Sequence, residues 1–288
     1  MPKKPKKNKQ KKKIKPSRFT AATADKNELY ELSVQNVESE IDFVDDTFKT
    51  LRGRHAQKFR EDFCGTGNTS VEWIGRRKDN TAVGLDIDQP TLDWGIEKRI
   101  NPLPPEDKGR INLLNCNVLE PKPEAKDMDC VLAMNFSYWL FKTRPEMLEY
   151  FKQVRLSLKD DGIFFLDHYG GSEAMEEQEE IREIKDDDGS RFDYVWDQNK
   201  YYPITSEVDC KIHFRFPDGT AMNDAYVYTW RLWGLKEIQE LLEEAGYKKV
   251  TVYWEGDDPD SDEGNGEFVP EKKGEACPAF VSYITAER

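Results

Sequence analysis

The run Arg60-Glu61-Asp62-Phe63-Cys64-Gly65-Thr66-Gly67 sets two carboxylates directly ahead of a glycine turn. A weak strand over 57–62 leads in, and a helical run from Asn68 to Arg76 leads out. Glycine at such a turn lets the backbone approach a ligand, because it carries no Cβ and accepts positive φ. The carboxylates then select the ligand. A dinucleotide would set its anionic pyrophosphate on the helix N-terminus, where Glu61 and Asp62 repel it. The third glycine of the dinucleotide fingerprint is also missing, since Gly65 and Gly67 are followed by Ser70. A ligand with a cationic amino group and a cationic centre fits better, and S-adenosylmethionine is such a ligand.

Further polar residues fall where apolar runs end. Asp86 closes the run 81–86 and lies 19 residues beyond Gly67. At that spacing in a doubly wound sheet, a carboxylate can accept hydrogen bonds from ribose hydroxyls. Asn117-Val118 follows the third run. The amide can meet the polar edge of adenine, while Val118 and Ile87 pack on its faces. Asn135 and Phe136 follow the fourth run. Ligands of such sheets bind beyond the carboxyl ends of the strands. Each position also has a local alternative: Asp86 as a cap for the helix opening near Thr91, Asn117 as a loop residue. The joint order favours one ligand site.

The elements that must position these residues alternate. Strand-like runs cover 81–86, 110–115, 128–134 and 162–167, and helical runs cover 91–99, 144–158 and 235–245, the last closed by Gly246. Short apolar strands alternating with helices predict a parallel sheet covered on both faces. Ahead of them, one amphipathic helix is expected over Lys26–Leu51, with Val37, Ile41, Val44, Phe48 and Leu51 at helical spacing and Gly53 as its stop. Lys159-Asp160-Asp161-Gly162 reads as a tight turn. Residues 172–231 break the alternation: 191–202, 207–216 and 221–231 read as strands, with a turn at Pro217-Asp218-Gly219-Thr220. They predict a small antiparallel sheet inserted after the fifth parallel strand. The α/β pattern resumes at 248–254 and 279–286, around an acidic loop at 256–266.

At 288 residues the chain can form one large or two modest domains. It holds no apolar run long enough to cross a membrane. Residues 1–18 carry ten Lys or Arg and no acid; without those ten, 33 basic residues face 56 acidic ones. An acidic body is a poor nucleic-acid surface, since phosphate contacts supply most non-specific affinity. Only the tail could contact RNA. It could equally carry an address or remain a solvated polycation. Five scattered cysteines without a Cys-x-x-Cys pair, and three histidines, predict a reduced, cytoplasmic protein with no structural metal. The organisation expected is a basic tail and linker over 1–25 and one domain over 26–288, with a helical cap at 26–54 and a lid at 172–231.

With these residues assembled, the sequence resembles the class I S-adenosylmethionine-dependent methyltransferases, closely over 55–170 and by pattern over 232–286. Glu61 stands at the family's acidic position, and Cys64-Gly65-Thr66-Gly67 matches its glycine motif. Phe63 replaces the family's first glycine. Asp86 matches the ribose acid, and Asn117 stands where an aspartate is common. The resemblance implies a Rossmann-like, seven-stranded, mostly parallel sheet of order 3-2-1-4-5-7-6, with 279–286 as its antiparallel last strand. The stretch Asn135-Phe136-Ser137-Tyr138 lacks the prolines of the branch that methylates nucleobases or protein glutamine.

Methyl transfer from a sulfonium relies mainly on orientation and proximity, with a general base needed where the nucleophile arrives protonated. His168, beside Tyr169 after the fifth strand, is the candidate base; Tyr138 and Trp139 are candidate cleft walls. Lys211, His213 and Arg215 share one face of the strand at 207–216 and form a cationic stripe able to hold an anionic small substrate. Tyr30 or Arg60 could reach the methionine carboxylate. A small-molecule N- or O-methyltransferase is the main expectation. An RNA or protein methyltransferase recruited by the tail, and a non-catalytic cofactor-binding module, are the alternatives.

Overall fold

A computed structural model describes residues 17–257 and 264–288. The basic tail through residue 16 and the centre of the acidic loop lie outside the described residues. The strands of the main sheet are β1 (Lys58–Asp62), β2 (Thr81–Asp86), β3 (Ile111–Asn115), β4 (Met128–Ala133) and β5 (Leu158–Gly170), followed late in the chain by β10 (Lys249–Asp257), β11 (Gly264–Glu271) and β12 (Phe280–Glu287). They form eight strands in the order β11-β10-β12-β5-β4-β1-β2-β3. The expected sheet of seven is thus corrected to eight. The implied order is present, with β12 antiparallel to both neighbours, and β11 adds an antiparallel edge. The expected turn at 159–162 is instead a bulge inside β5, where the register moves from Met128↔Leu158 to Cys130↔Ile163.

Alternate side chains of the strands feed two cores. Cys130, Leu132, Ile163 and Phe165 pack under α2 (Val37–Arg52) and α3 (Asn68–Arg76). Val131, Ala133, Phe164 and Leu166 pack under α6 (Arg144–Ser157) and α7 (Leu235–Glu244). Between β2 and β3 run α4 (Gln89–Gly95), which continues into a π-turn at Ile96–Ile100, and the short α5 (Pro105–Lys108). The single helix expected over 26–51 is two: α1 (Lys26–Val34) ends at Gln35 and α2 restarts after Asn36. Gly53 does end α2, in the left-handed conformation (φ 67°).

The second sheet has four antiparallel strands: β6 (Gln178–Lys185), β7 (Arg191–Tyr202), β8 (Glu207–Arg215) and β9 (Ala221–Arg231). Its buried face forms a third core with the N-terminal segment. Phe19 and Leu29 pack with Phe192, Tyr194, Ile212 and Phe214. Residues 17–25, expected as a linker, are therefore docked on this sheet. Arg18 pairs with Glu28 and Asp186, and Ser17 Oγ donates to Arg191 O at 2.8 Å.

Candidate active site

A cavity of about 600 Å³ opens at the carboxyl ends of β1–β4. Eight of the residues singled out from sequence line it: Glu61, Cys64, Gly65, Asp86, Ile87, Asn117, Val118 and Asn135. Tyr30 of α1 and Tyr226 to Trp230 of β9 complete the wall.

The glycine turn is built from left-handed residues. Phe63, Gly65 and Gly67 have φ of 58°, 52° and 73°. Phe63 thus adopts a glycine-like conformation with a side chain attached, at a cost of about 1–2 kcal/mol. Its ring is held by Tyr150 at 5.7 Å and Phe141 at 6.3 Å. Gly67 does not line the cavity. A Cβ there would come within 2.9 Å of Leu113 Cδ2, so its requirement is packing and conformation.

The two carboxylates of β1 part to opposite faces. Glu61 accepts Ser70 N–H at 3.1 Å and Ser70 Oγ–H at 2.7 Å, and burial pushes its carboxyl up to about 8. Asp62 accepts Arg60 Nε and Nη2 at 2.7 and 2.8 Å and Tyr150 O–H at 2.9 Å. Arg60 is fully buried, and its remaining nitrogen donates to Ala125 O at 3.1 Å. All three guanidinium nitrogens are engaged inside the protein and Arg60 does not line the cavity, which corrects the expectation placed on it. Its work is to hold Asp62.

Asp86 shapes the neighbouring loop. Oδ2 accepts Gly65 N–H at 2.8 Å and Oδ1 accepts Asp88 N–H at 2.9 Å. The cap near Thr91 is Asp88, whose Oδ2 accepts the Thr91 hydroxyl at 2.6 Å. Asn117 Oδ1 accepts Leu119 N–H at 3.0 Å, leaving its Nδ2 donors free of any recorded partner among the described residues. Ile87 is 75 % exposed on the rim and Val118 is buried.

After β4, Asn135 and Phe136 both have positive φ (55° and 54°). Asp167 of β5 holds this turn by accepting Asn135 N–H at 2.6 Å and Phe136 N–H at 3.0 Å. Burial pushes the Asp167 carboxyl up to about 8. Its role was not foreseen; an acid ending an apolar strand opposite a polar turn was the available signal.

The roof is one joined unit. Thr66 Oγ donates to Glu31 of α1 at 2.6 Å, and Glu31 also pairs with Arg99. Asn68 Nδ2 donates to Gln35 Oε1 at 3.0 Å. On the other side of α1, the Tyr226 hydroxyl donates to Asn27 Oδ1 at 2.8 Å.

No family model and no curated protein sequence matches this chain. Solved structures do. An S-adenosylmethionine-dependent methyltransferase from Clostridium acetobutylicum is 16 % identical over 91 % of this chain and 96 % of its own, with a TM-score of 0.63. An amino pentose methyltransferase from Micromonospora echinaspora is 15 % identical over 91 % and 95 %, with a TM-score of 0.65. A sugar N-methyltransferase from a Streptoalloteichus species is 12 % identical over 92 % and 93 %, with a TM-score of 0.64. This chain has a methyltransferase fold.

Within that methyltransferase fold, none of His168, Tyr169, Tyr138 and Trp139, all expected at the cleft, lines the cavity. β5 does not stop at Asp167. Paired to β12 as far as Gly170↔Phe280, it carries His168 into the interior. His168 is buried between Trp139 and Phe280, its Nδ1 lacks a partner, and burial drives its pKa down to about 3. It is a neutral core imidazole, not a base at the cleft. Tyr138 is fully buried and donates to Asp167 O at 2.8 Å. Tyr169 donates to Gln198 Oε1 at 2.6 Å, beneath the second sheet. The cationic stripe is also spent. Lys211 pairs with Asp224, His213 with Asp197 and Arg215 with Glu179, all away from the cavity. The aromatic wall Tyr226, Tyr228 and Trp230 was legible only as every second residue of a returning strand.

Proposed function

We propose that this protein is an S-adenosylmethionine-dependent methyltransferase that acts on a small molecule. One observation carries the reading: the glycine turn, Asp86, the Ile87–Val118 pair, Asn117 and Asn135 meet in one cavity at the strand ends of a methyltransferase fold. The residues suit the cofactor. Asp86 spends one lone pair of each oxygen on the loop and keeps the others for ribose hydroxyls. Exposed Ile87 and buried Val118 offer apolar faces for adenine, and Asn117 keeps its Nδ2 donors for the ring edge. The turn brings backbone and carboxylate to the amino-acid end, with Tyr30 above it.

When bound, the cofactor supplies an electrophilic methyl group on a sulfonium. The chain supplies orientation and exclusion of water: α1 and β9 close over the cavity and hold an acceptor against the turn. A cavity of about 600 Å³ roofed by α1 and β9 suits a small acceptor, and the neighbours named for amino pentose and sugar substrates agree with that size class. Calorimetry of the full chain with S-adenosylmethionine and S-adenosylhomocysteine tests the reading. Saturable binding of both is expected; binding of neither refutes it. Removal of residues 1–16, which spares the Ser17 and Arg18 contacts, leaves turnover of a small acceptor unchanged.

A further inference from the structure

The acceptor end of the cavity has an unusual charge balance. Among the described residues, no Lys, Arg or His lines any part of it. The ionisable acids, Glu61, Asp62, Asp86 and Asp88, stand at the turn and at the carboxyl end of β2. Opposite them, Tyr30, Tyr226, Tyr228 and Trp230 form a wall of rings: Tyr30 lies 4.9 Å from Tyr226, and Tyr228 lies 4.6 Å from Trp230. Leu140 and Phe141 close the far side.

Resting on the methyltransferase reading, we propose that the methyl acceptor is an amine, recognised in its ammonium form by the aromatic wall of α1 and β9. An anionic acceptor would leave water for a cavity whose lining offers it no cation, only acids at the cofactor end and aromatic rings. A phenol or alcohol needs a proton acceptor to become a nucleophile; no imidazole or lysine amine lines the cavity, and of its acids Glu61 is bound to Ser70, Asp62 to Arg60, Asp86 to the loop and Asp88 to Thr91. An amine needs neither. Its ammonium form is attracted to ring faces, and its neutral form attacks unaided.

The step balances without a further reactant. The ammonium first gives a proton to water. The amine lone pair then forms the new N–C bond while the methyl–sulfur bond breaks. That bond's electrons stay on sulfur, turning the sulfonium into a neutral thioether. The nitrogen takes up the positive charge as a methylammonium, which the same rings hold.

Binding to the full chain saturated with S-adenosylhomocysteine separates the possibilities, using three probes of one shape: choline, its neutral isostere neohexyl alcohol, and the anion tert-butylacetate. Choline is expected to bind about tenfold tighter than the alcohol, the scale of a desolvated cation–π contact, with tert-butylacetate weakest. Tyr228→Leu removes that preference and Tyr228→Phe keeps it. Equal affinity for choline and the alcohol, tightest binding of the anion, or no choline binding at any attainable concentration overturns the amine assignment. Those results leave the methyltransferase reading standing; only failure to bind S-adenosylhomocysteine removes that.

Discussion

Replacing Asp86 by alanine separates a ligand-binding carboxylate from one that merely holds a loop. In the structure its two oxygens accept Gly65 N–H at 2.8 Å and Asp88 N–H at 2.9 Å, and each retains a lone pair on the cavity side of the strand end. A hydrogen bond from a ribose hydroxyl to a charged acceptor contributes about 1.5–3 kcal/mol. Its loss raises the dissociation constant for S-adenosylmethionine about 10- to 150-fold, at 1.4 kcal/mol per decade. The loop contacts register separately. Freed N–H groups at a half-exposed turn regain water, so stability falls by about 1–2 kcal/mol. Calorimetry gives the first quantity and chemical denaturation the second. A lowered stability with an unchanged dissociation constant shows that Asp86 serves the loop alone, and the ribose assignment is then wrong.

At Phe63 the left-handed backbone reverses the usual order of glycine and alanine. Phe63→Gly should be more stable than Phe63→Ala by about 1 kcal/mol, because both lose the ring and only alanine keeps the strain; denaturant midpoints decide. Arg60→Met strands the buried Asp62 carboxylate and should cost about 3–5 kcal/mol in urea unfolding. Adding Asp62→Leu should recover part of that loss, and a double variant no better than the single one contradicts it. His168→Phe should leave kcat and its pH profile unmoved, since the imidazole is buried and uncharged; a shifted acid limb restores a base role. Glu61 has its folded pKa raised to about 8 by burial. It therefore stabilises fully below its unfolded pKa near 4.5 and loses that contribution as pH rises through about 8. Glu61→Gln should flatten stability against pH across that window by up to about 1.4 kcal/mol per pH unit, as read from unfolding curves; an unchanged slope assigns the proton elsewhere.

The legible parts of the fold were those where burial imposes a period. β2, β4 and α2 carry apolar residues on schedule because each presses a defined face into a core. α1 was misjoined to α2 because its buried positions include Asn27, Glu31 and Ser33. Asn27 and Glu31 face polar partners on β9 and the glycine turn, and Ser33 donates back to Leu29 O of its own helix, so no hydrophobic period marks them. β6, with five charged residues in eight, and β11, with glycines and a proline, are sheet edges that follow no alternation. The cavity's cofactor side was readable because backbone geometry demands particular residue types there. The acceptor side was not, because a tyrosine that packs and a tyrosine that lines a cavity leave the same trace in sequence.

His168 shows how the error propagates. A strand-like run over 162–167 puts the next residue at the cleft. The Asp167 carboxylate is instead tied to two backbone N–H groups of the turn at Asn135, inside the sheet. With Asp167 spent on that turn, β12 pairs on to Gly170 and the imidazole is sealed. The same economy runs through the roof. α1 binds the glycine turn through Glu31 and Gln35 and binds β9 through Asn27, while its apolar side shares a core with the second sheet. An acceptor that displaces the rings of β9 therefore pulls on the helix that holds the turn. Acceptor and cofactor binding should be coupled through α1, with Asn27 as the joint. Asn27→Ala should weaken that coupling, seen as a smaller change in choline affinity when S-adenosylhomocysteine is added. Equal coupling in both proteins would place the link outside α1.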